Sequence, residues 1–516
     1  MDDFHAGDAA DAGGYLGTTL RHGHSGAGAV AETLFRAYET RDPRFDGRFY
    51  VAVRTTKIFC RPVCPARTPK RVNVEFYPSA AAAFAAGYRP CLRCRPERAP
   101  AVRGHESQGA ALVSRALEAI DAGALNENSL EHLSARIGVT SRHLRRLFDE
   151  HLGASPVAVA QTRRLLFAKQ LIEESALTLT QIAFASGYGS VRRFNDTVRS
   201  VYGRPPSSLR RKRDMRGGVA SAQVQLRLGG MDAPRFAGLL GFYRARAFAA
   251  VESVGEEDYA RVIRIAGDTG VIRVHANPKG LMLECDFPHA GRLPAIVARA
   301  KRMFDLDAPA AAIGAHLSRD KLLRPVLKKT ALGVPCAWDA YELAVRAVLG
   351  QQISVAAATT LAGRMMAALG EPACMPGAHA ERLTRVFPAP ERLAETKTDE
   401  LRALGIGRAR AETLIALGKH IAGNPAWRDR YAGLEAFSAE FCELPGIGPW
   451  TAHYVAMRGF ADPDAFPASD LGLLRVARKL GIAQTPRELL QYAERWRPWR
   501  AYAAQALWNF EVRSAA

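Results

Sequence analysis

Apolar positions along this chain change their period from region to region, and the changes divide it into units. Between about residues 108 and 212 the spacing is helical throughout. Ser129-Leu130-Glu131-His132-Leu133 opens one helix with a serine cap, Gly138-Val139 makes a turn, and Ser141 to His151 forms a second helix. After a long helix from Pro156 to Glu173 the arrangement repeats: Thr180 to Tyr188 reads as helix and turn, and Ser190 to Val201 as another helix. Residues 221–305 then turn to strand-like runs at Val224 to Leu228, Val262 to Ala266, Val271 to His275 and Leu281 to Cys285, with helices at Arg235 to Arg246 and Pro294 to Phe304. From Trp338 onward helical spacing returns. Breaks fall at Pro96 to Gly109, rich in proline and charge, and at Arg210 to Gly218, where a basic run meets paired glycines.

Composition narrows the class. The 516 residues are 48% hydrophobic and 24% charged, enough for several cores, and the formal net charge is +20. A basic excess favours nucleic acid as a partner. No apolar run reaches the length of about 18 residues that a membrane span needs. The start, Met1 to Gly28, is polar and rich in glycine and alanine without a signal-peptide core, so residues 1–28 are expected to be a disordered leader and the protein cytoplasmic, associated with the nucleoid. Cys285, Cys336, Cys374 and Cys442 are scattered and read as free thiols of a reducing compartment.

The other four cysteines are not scattered. Cys60-x3-Cys64 and Cys91-x2-Cys94 are separated by 26 residues, the two-pair spacing of a tetrahedral zinc site. Between Arg41 and Pro100 the module holds 13 Lys/Arg against 4 Asp/Glu, which suggests a nucleic-acid backbone near the metal. The run Phe49 to Cys64, with Phe59-Cys60-Arg61-Pro62-Val63-Cys64 at its end, and Gly87-Tyr88-Arg89-Pro90-Cys91-Leu92-Arg93-Cys94 resemble the N-terminal domain of Ada-type alkylation-response proteins. The resemblance implies one zinc ion on Cys60, Cys64, Cys91 and Cys94, with Cys60 also the nucleophile that removes methyl from a DNA phosphotriester. A purely structural set of four cysteines is the competing reading.

The paired helix-turn-helix pattern, with Tyr202-Gly203-Arg204-Pro205-Pro206-Ser207 behind it, resembles an AraC-type DNA-binding domain. Two recognition helices would then enter successive major grooves, presenting Arg142, Arg145 and Arg146 from one and Arg192, Arg193 and Asn195 from the other.

A second chemistry sits near the C-terminus. Glu443-Leu444-Pro445-Gly446-Ile447-Gly448-Pro449-Trp450-Thr451-Ala452 reads as a helix-hairpin-helix, in which Gly446 and Gly448 allow a tight turn and leave helix-start amides for a DNA phosphate. Asp470 follows 22 residues after Gly448; alone it would read as a helix cap, but behind this hairpin the pairing resembles that of helix-hairpin-helix base-excision glycosylases, which implies a catalytic carboxylate. Leu404-Gly405-Ile406-Gly407 echoes the hairpin, as packing or as an auxiliary DNA contact. Together with Leu240-Gly241-Phe242-Tyr243, Arg346 to Ser354 and Arg497 to Tyr502, these segments resemble AlkA-type 3-methyladenine DNA glycosylases. The resemblance implies a base pocket of Phe242, Trp450, Tyr454 and Trp508, whose faces would attract a cationic alkylated base. It also puts Gln352 where relatives can carry an apolar wedge. Trp450 stands where some relatives place a Schiff-base lysine, so a monofunctional glycosylase is implied.

The expected fold is multidomain α+β: an Ada-type zinc-bound α/β module at 29–100, an all-α double helix-turn-helix at 108–212, a small α/β cap at 221–305 and an all-α helix-hairpin-helix glycosylase body at 306–516. The methylguanine-repair domain of full-length Ada proteins is not expected, since no Pro-Cys-His-Arg stretch occurs. The implied protein is a monomer acting on alkylated and promoter double-stranded DNA, with RNA polymerase as a further partner. The alternative is a zinc-containing transcription regulator whose glycosylase-like domain is inactive.

Overall fold

A computed structural model describes residues 27–99, 108–210, 223–231, 233–278, 280–373, 381–425, 427, 431 and 433–515. Most of the leader and Cys374 lie outside these residues. The chain divides into two compact units, one made chiefly of residues before Leu226 and the other chiefly of residues after it. Among the described residues no helix is long and apolar enough to cross a membrane.

The first unit opens with the helix Ala27–Glu39 and a small sheet of β1 (Tyr50–Val53), β2 (Ile58–Cys60), β3 (Val74–Tyr77) and β4 (Arg89–Pro90), in the order β3-β1-β2-β4. β1 pairs antiparallel with β2 and β3, whereas β4 joins β2 in parallel, with Ile58 opposite Arg89 and Phe59 opposite Pro90. That single parallel pairing brings the ends of β2 and β4 side by side, and a cysteine stands at each end.

The helices that follow match the expected double hairpin: Leu130–Ile137 and Ser141–Leu152, then Pro156–Glu174, then Leu179–Ala185 and Val191–Tyr202. Each begins with a Ser or Thr side chain accepting a backbone N–H: Ser129, Thr140, Ser155, Thr178 and Ser190. Such caps satisfy otherwise orphaned donors and contribute about 1 kcal/mol each. Ala81, on the zinc module's helix Ala80–Ala85, belongs to the same apolar cluster as Leu133, Leu144, Phe148 and Val159.

Charge also joins the zinc module to the long helix. Lys169, fully buried, donates to Glu97 at 2.5 Å and faces Glu173 at 3.5 Å. Arg95, one residue beyond Cys94, bridges Glu173 at 3.1 Å and Glu174 at 3.0 Å, and Arg98 also pairs with Glu174. Burial pushes the Glu97 carboxyl up, with Lys169 opposing the shift. No local pattern in the sequence announces the links to the zinc module, because those partners are more than 70 residues apart.

The second unit contains a sheet of β5 (Gln223–Gly229), β6 (Glu252–Val254), β7 (Asp258–Ile265), β8 (Asp268–Asn277) and β9 (Gly280–Asp286), ordered β5-β9-β8-β7-β6, with β6 to β9 paired antiparallel. β6 was not anticipated; it is three residues long and only half-buried, so it carries almost no periodicity. The helical body also contains a two-stranded ribbon, Glu371–Pro372 with Arg385–Val386. The ribbon exists because Leu383 and Val386 pack against Ala260, Val262 and Val271 of the sheet, a tertiary cause that local spacing does not reveal.

The buried network yields a stability prediction. Lys169→Met leaves Glu97 and Glu173 buried beside too few cations and should cost about 3–5 kcal/mol. Adding Glu97→Gln should recover a good part of that loss. Urea unfolding of the three proteins checks both statements.

Candidate functional sites

The parallel pairing of β2 and β4 sets the first site. Cys60 closes β2, and Cys91, whose N–H donates to the Phe59 carbonyl at 3.0 Å, follows β4. Each pair is completed by a tight turn; that of the first is closed by Cys64 N–H donating to the Arg61 carbonyl at 3.1 Å. All four Sγ atoms lie within 4.8 Å of one another and all four residues are buried. A set of thiolates gathered this closely, with no competing hard ligand, fits a tetrahedral zinc ion.

Backbone N–H groups distinguish the four sulfurs. Arg61 N–H donates to Cys94 Sγ and Arg93 N–H to Cys91 Sγ, both at 3.3 Å. Among the described residues no backbone N–H reaches the sulfur of Cys60. Hydrogen bonds withdraw electron density from a thiolate, so the sulfurs of Cys91 and Cys94 are more quenched than that of Cys60. The Arg61 side chain is itself fixed, by Asp46 through Nε at 2.8 Å and by the Cys94 carbonyl at 3.2 Å. Neither Arg61's second role nor Asp46 was evident from cysteine spacing. Arg54, Lys57, Arg67 and Lys70 stand exposed on the same module.

Arg142, Arg145 and Arg146 project from Ser141–Leu152, and Arg192 and Arg193 from Val191–Tyr202, all exposed; Asn195 is half-buried. Among the described residues Arg145 and Arg192 make only distant 3.9 Å ion pairs, with Glu131 and Asp196, and so remain available to a partner.

In the second unit the hairpin runs from helix Leu434–Phe441 to helix Pro449–Gly459. The two glycines differ. Gly446 has φ +78°, and a Cβ there would collide with Thr413. Gly448 has φ −108°, which any residue adopts, and a Cβ would meet nothing within 4 Å. The expectation that both serve the turn therefore holds for Gly446 alone; at Gly448 a small residue matters only for what approaches from outside. The helix behind it starts with Pro449 and has no side-chain cap, so its first amides have no side-chain acceptor. Gln351 bolts this hairpin to the neighbouring loop, donating to the Gly446 carbonyl at 2.9 Å and to Thr451 Oγ1 at 3.2 Å. The next residue, Gln352, is held at φ +58°, a sparsely populated conformation for a non-glycine residue.

Asp470 caps its helix, and its carboxylate is bound by two indoles as well. Its Oδ1 accepts Leu473 N–H at 3.0 Å, capping helix Leu471–Lys479, and also the Trp508 indole N–H at 2.8 Å. Its Oδ2 accepts the Trp450 indole N–H at 3.0 Å. Trp450 and Tyr454 stack with centroids 5.1 Å apart at 9°, and Tyr454 meets Trp508 edge-on at 6.5 Å. Phe242 joins this group through a residue the sequence reading passed over: the Arg458 guanidinium lies 4.5 Å from its ring centroid, 5.2 Å from that of Tyr454 and 5.1 Å from that of Trp508. Arg246 covers Phe242 as well, at 4.1 Å. Arg458 lies four residues beyond Tyr454 and so continues its helix face, a signal that spacing offered.

Comparison with known proteins agrees region by region. The model of the metal binding domain of Ada matches residues 33–97, a helix-turn-helix domain 133–212, the AlkA N-terminal domain 226–339, and the HhH-GPD superfamily of base excision DNA repair proteins 345–500. A Mycobacterium tuberculosis protein named "Probable bifunctional transcriptional activator/DNA repair enzyme AlkA" is 40% identical over 485 residues, 93% of this chain and 96% of that one. The chain belongs to this bifunctional AlkA family. DNA-3-methyladenine glycosylase 2 of Escherichia coli is 33% identical over 281 residues, 53% of this AlkA-family chain and 93% of its own. The bifunctional transcriptional activator/DNA repair enzyme Ada of Escherichia coli is 40% identical over 142 residues, 28% of this chain and 38% of its own. In this AlkA-family chain Cys60, Cys64, Cys91 and Cys94 form the site of a single Zn2+.

Two outcomes follow for these sites. Metal analysis of purified protein should find one zinc per chain, falling toward none in Cys91→Ser. Gly446→Ala should cost at least about 1–3 kcal/mol in thermal unfolding, from its backbone conformation together with the collision with Thr413. Gly448→Ala should leave stability within about 0.5 kcal/mol while weakening binding to duplex DNA.

Proposed function

We propose that this protein repairs alkylated DNA in two chemically separate ways and reports the damage by transcription. At the first site Cys60 Sγ attacks the methyl carbon of a DNA methylphosphotriester. The S–CH3 bond forms, the C–O bond breaks, and its electron pair stays on the phosphate oxygen, which regains the diester's negative charge. Bound zinc would keep the four thiolates deprotonated near neutral pH. Transfer turns one anionic sulfur into a neutral thioether and so lowers the repulsion between the site and DNA phosphates, while the surrounding arginines stay. The methylated protein would then hold promoter DNA more tightly through Arg142, Arg145, Arg146, Arg192, Arg193 and Asn195. The methyl stays on the sulfur, so each chain would accept it once.

At the second site the damaged nucleotide would be flipped out of the duplex into the aromatic group of Phe242, Trp450, Tyr454 and Trp508, with Gln352 filling the space it leaves. The hairpin amides at Gly446 and Gly448 would anchor a phosphate. Asp470 would face the sugar and steady the positive charge that develops as the glycosidic bond breaks. With Trp450 in place of a Schiff-base lysine, the product would be an abasic site in an intact strand.

The observation that carries this reading is that one chain holds both constellations complete, four gathered thiolates and a carboxylate bound by two indole N–H groups. A regulator with an inactive glycosylase-like domain would have no need of the second.

Two variants should dissociate the activities on methylated duplex DNA. Cys60→Ala should take up no methyl yet release bases normally. Asp470→Asn, which can still cap its helix, should accept methyl normally while excision falls on the order of a hundredfold or more. Methyl uptake without Cys60, or undiminished excision without the Asp470 charge, contradicts the respective assignment. Borohydride should trap no covalent protein–DNA adduct.

A further inference from the structure

Asp470 can steady a positive charge, but hydrolysis also needs a place for a proton. Its Oδ1 accepts the Leu473 N–H and the Trp508 indole, and its Oδ2 accepts the Trp450 indole. A carboxylate offers about four lone-pair sites, so about one is left for a water. The water that takes the place of the departing base must release a proton as its oxygen bonds to C1′. A carboxylate already committed to three N–H donors has little room to receive it.

A second carboxylate stands beside it. Glu511 lies three residues beyond Trp508 on the helix Arg500–Ala515, so the two share a face. Its Oε1 pairs at 2.5 Å with Nη1 of Arg475, which belongs to the helix that Asp470 caps. Its Oε2 turns toward Gly472. A Cβ at Gly472 would lie 2.7 Å from Glu511 Oε2, 3.1 Å from Asp470 Oδ1 and 3.5 Å from Trp508 Cδ1. Both carboxylates therefore reach the same side of one residue, in space that a side chain there would take. Glycine is a poor helix former, and this one stands in the first turn of Leu471–Lys479; the close approach gives it a reason. The Arg475 pair does not account for the arrangement, since Arg475 is 73% exposed and such pairs add little stability. Holding one anion beside another costs energy, which a use in the reaction would justify.

We propose that Glu511 is the general base of the hydrolytic step. A water held by Glu511 Oε2 gives its proton to that oxygen as its own oxygen bonds to C1′. The C1′–N bond breaks, and its electron pair leaves with the base. The proton then passes to solvent, which returns Glu511 to its starting state for the next turnover. The two carboxylates divide the work: Asp470, fixed by two indoles and an amide, supplies standing charge to the sugar, and Glu511, oriented by Arg475 through its other oxygen, handles the proton. The role rests on the glycosylase reading above, and it goes beyond it by assigning the proton to a residue of another helix.

Single-turnover release of bases from methylated duplex DNA, with protein in excess, tests the role. Glu511→Gln should slow release on the order of a hundredfold while duplex binding stays within about twofold. Glu511→Ala should be as slow, and sodium formate, a small carboxylate that fits the vacated space, should raise its rate about tenfold or more over sodium chloride at the same concentration. Asp470→Asn should gain nothing from formate. The rescue compares one preparation with itself, so it holds even where a variant is partly unfolded. Undiminished release by Glu511→Gln, or a loss in Glu511→Ala that formate does not relieve, overturns the role and leaves the glycosylase reading standing. Wild-type protein that releases no base removes both.

Discussion

Every helix in this chain starts with backbone N–H groups that no helical carbonyl can satisfy, and what meets them decides what each helix is able to do. In the two helical hairpins and the long helix between them the answer is a serine or threonine: Ser129, Thr140, Ser155, Thr178 and Ser190. Those helices are closed at their starts, and their side chains are left to meet a partner. The helix Pro449–Gly459 is different, because Gly448 offers no side chain and Pro449 no N–H, which leaves the start open to a phosphate. The helix Leu471–Lys479 is different again. Asp470 caps it with one oxygen and still binds two indoles, so a single carboxylate is oriented from three directions. A negative charge placed in this way needs little reorganisation when positive charge develops beside it.

The same economy of charge governs the rest of the molecule. The sulfurs of Cys91 and Cys94 accept backbone N–H groups while, among the described residues, that of Cys60 accepts none, a distinction made by the local turns rather than by composition. Lys169 and Arg95 join the zinc module to the long helix Pro156–Glu174 through Glu97, Glu173 and Glu174. Because Arg95 follows Cys94 directly, these ion pairs tie the cysteine cluster to the helix Pro156–Glu174. Arg458 shows the third use of a buried charge, held by two bonds with one donor left unmade.

Much of this was legible in the residues. Two cysteine pairs at close spacing predicted one cluster, and the four sulfurs are together. Trp450 and Tyr454, four apart on a helix, stack as the periodicity implied, and Asp470 lies beside Trp450 and Trp508. What escaped had no local signature. The Lys169 network joins residues distant in sequence, the ribbon at Glu371–Pro372 forms only because the sheet offers an apolar face, and β6 is too short to show a period. Gly446 and Gly448 look alike as letters, yet their backbone angles separate a required glycine from a permitted one. Arg458 read as an ordinary basic residue near a helix end until the rings around it were placed.

The central claim is that one chain carries a site that is consumed by its reaction and a site that is not. A time course of the wild-type protein with excess methylated duplex, following protein mass and free bases in the same samples, tests it most directly. The account predicts that methyl uptake stops at one per chain, on Cys60, while base release continues through many turnovers and the strands stay unbroken. Base release that stops with methyl uptake, or a protein that gains no methyl while bases accumulate, would contradict it.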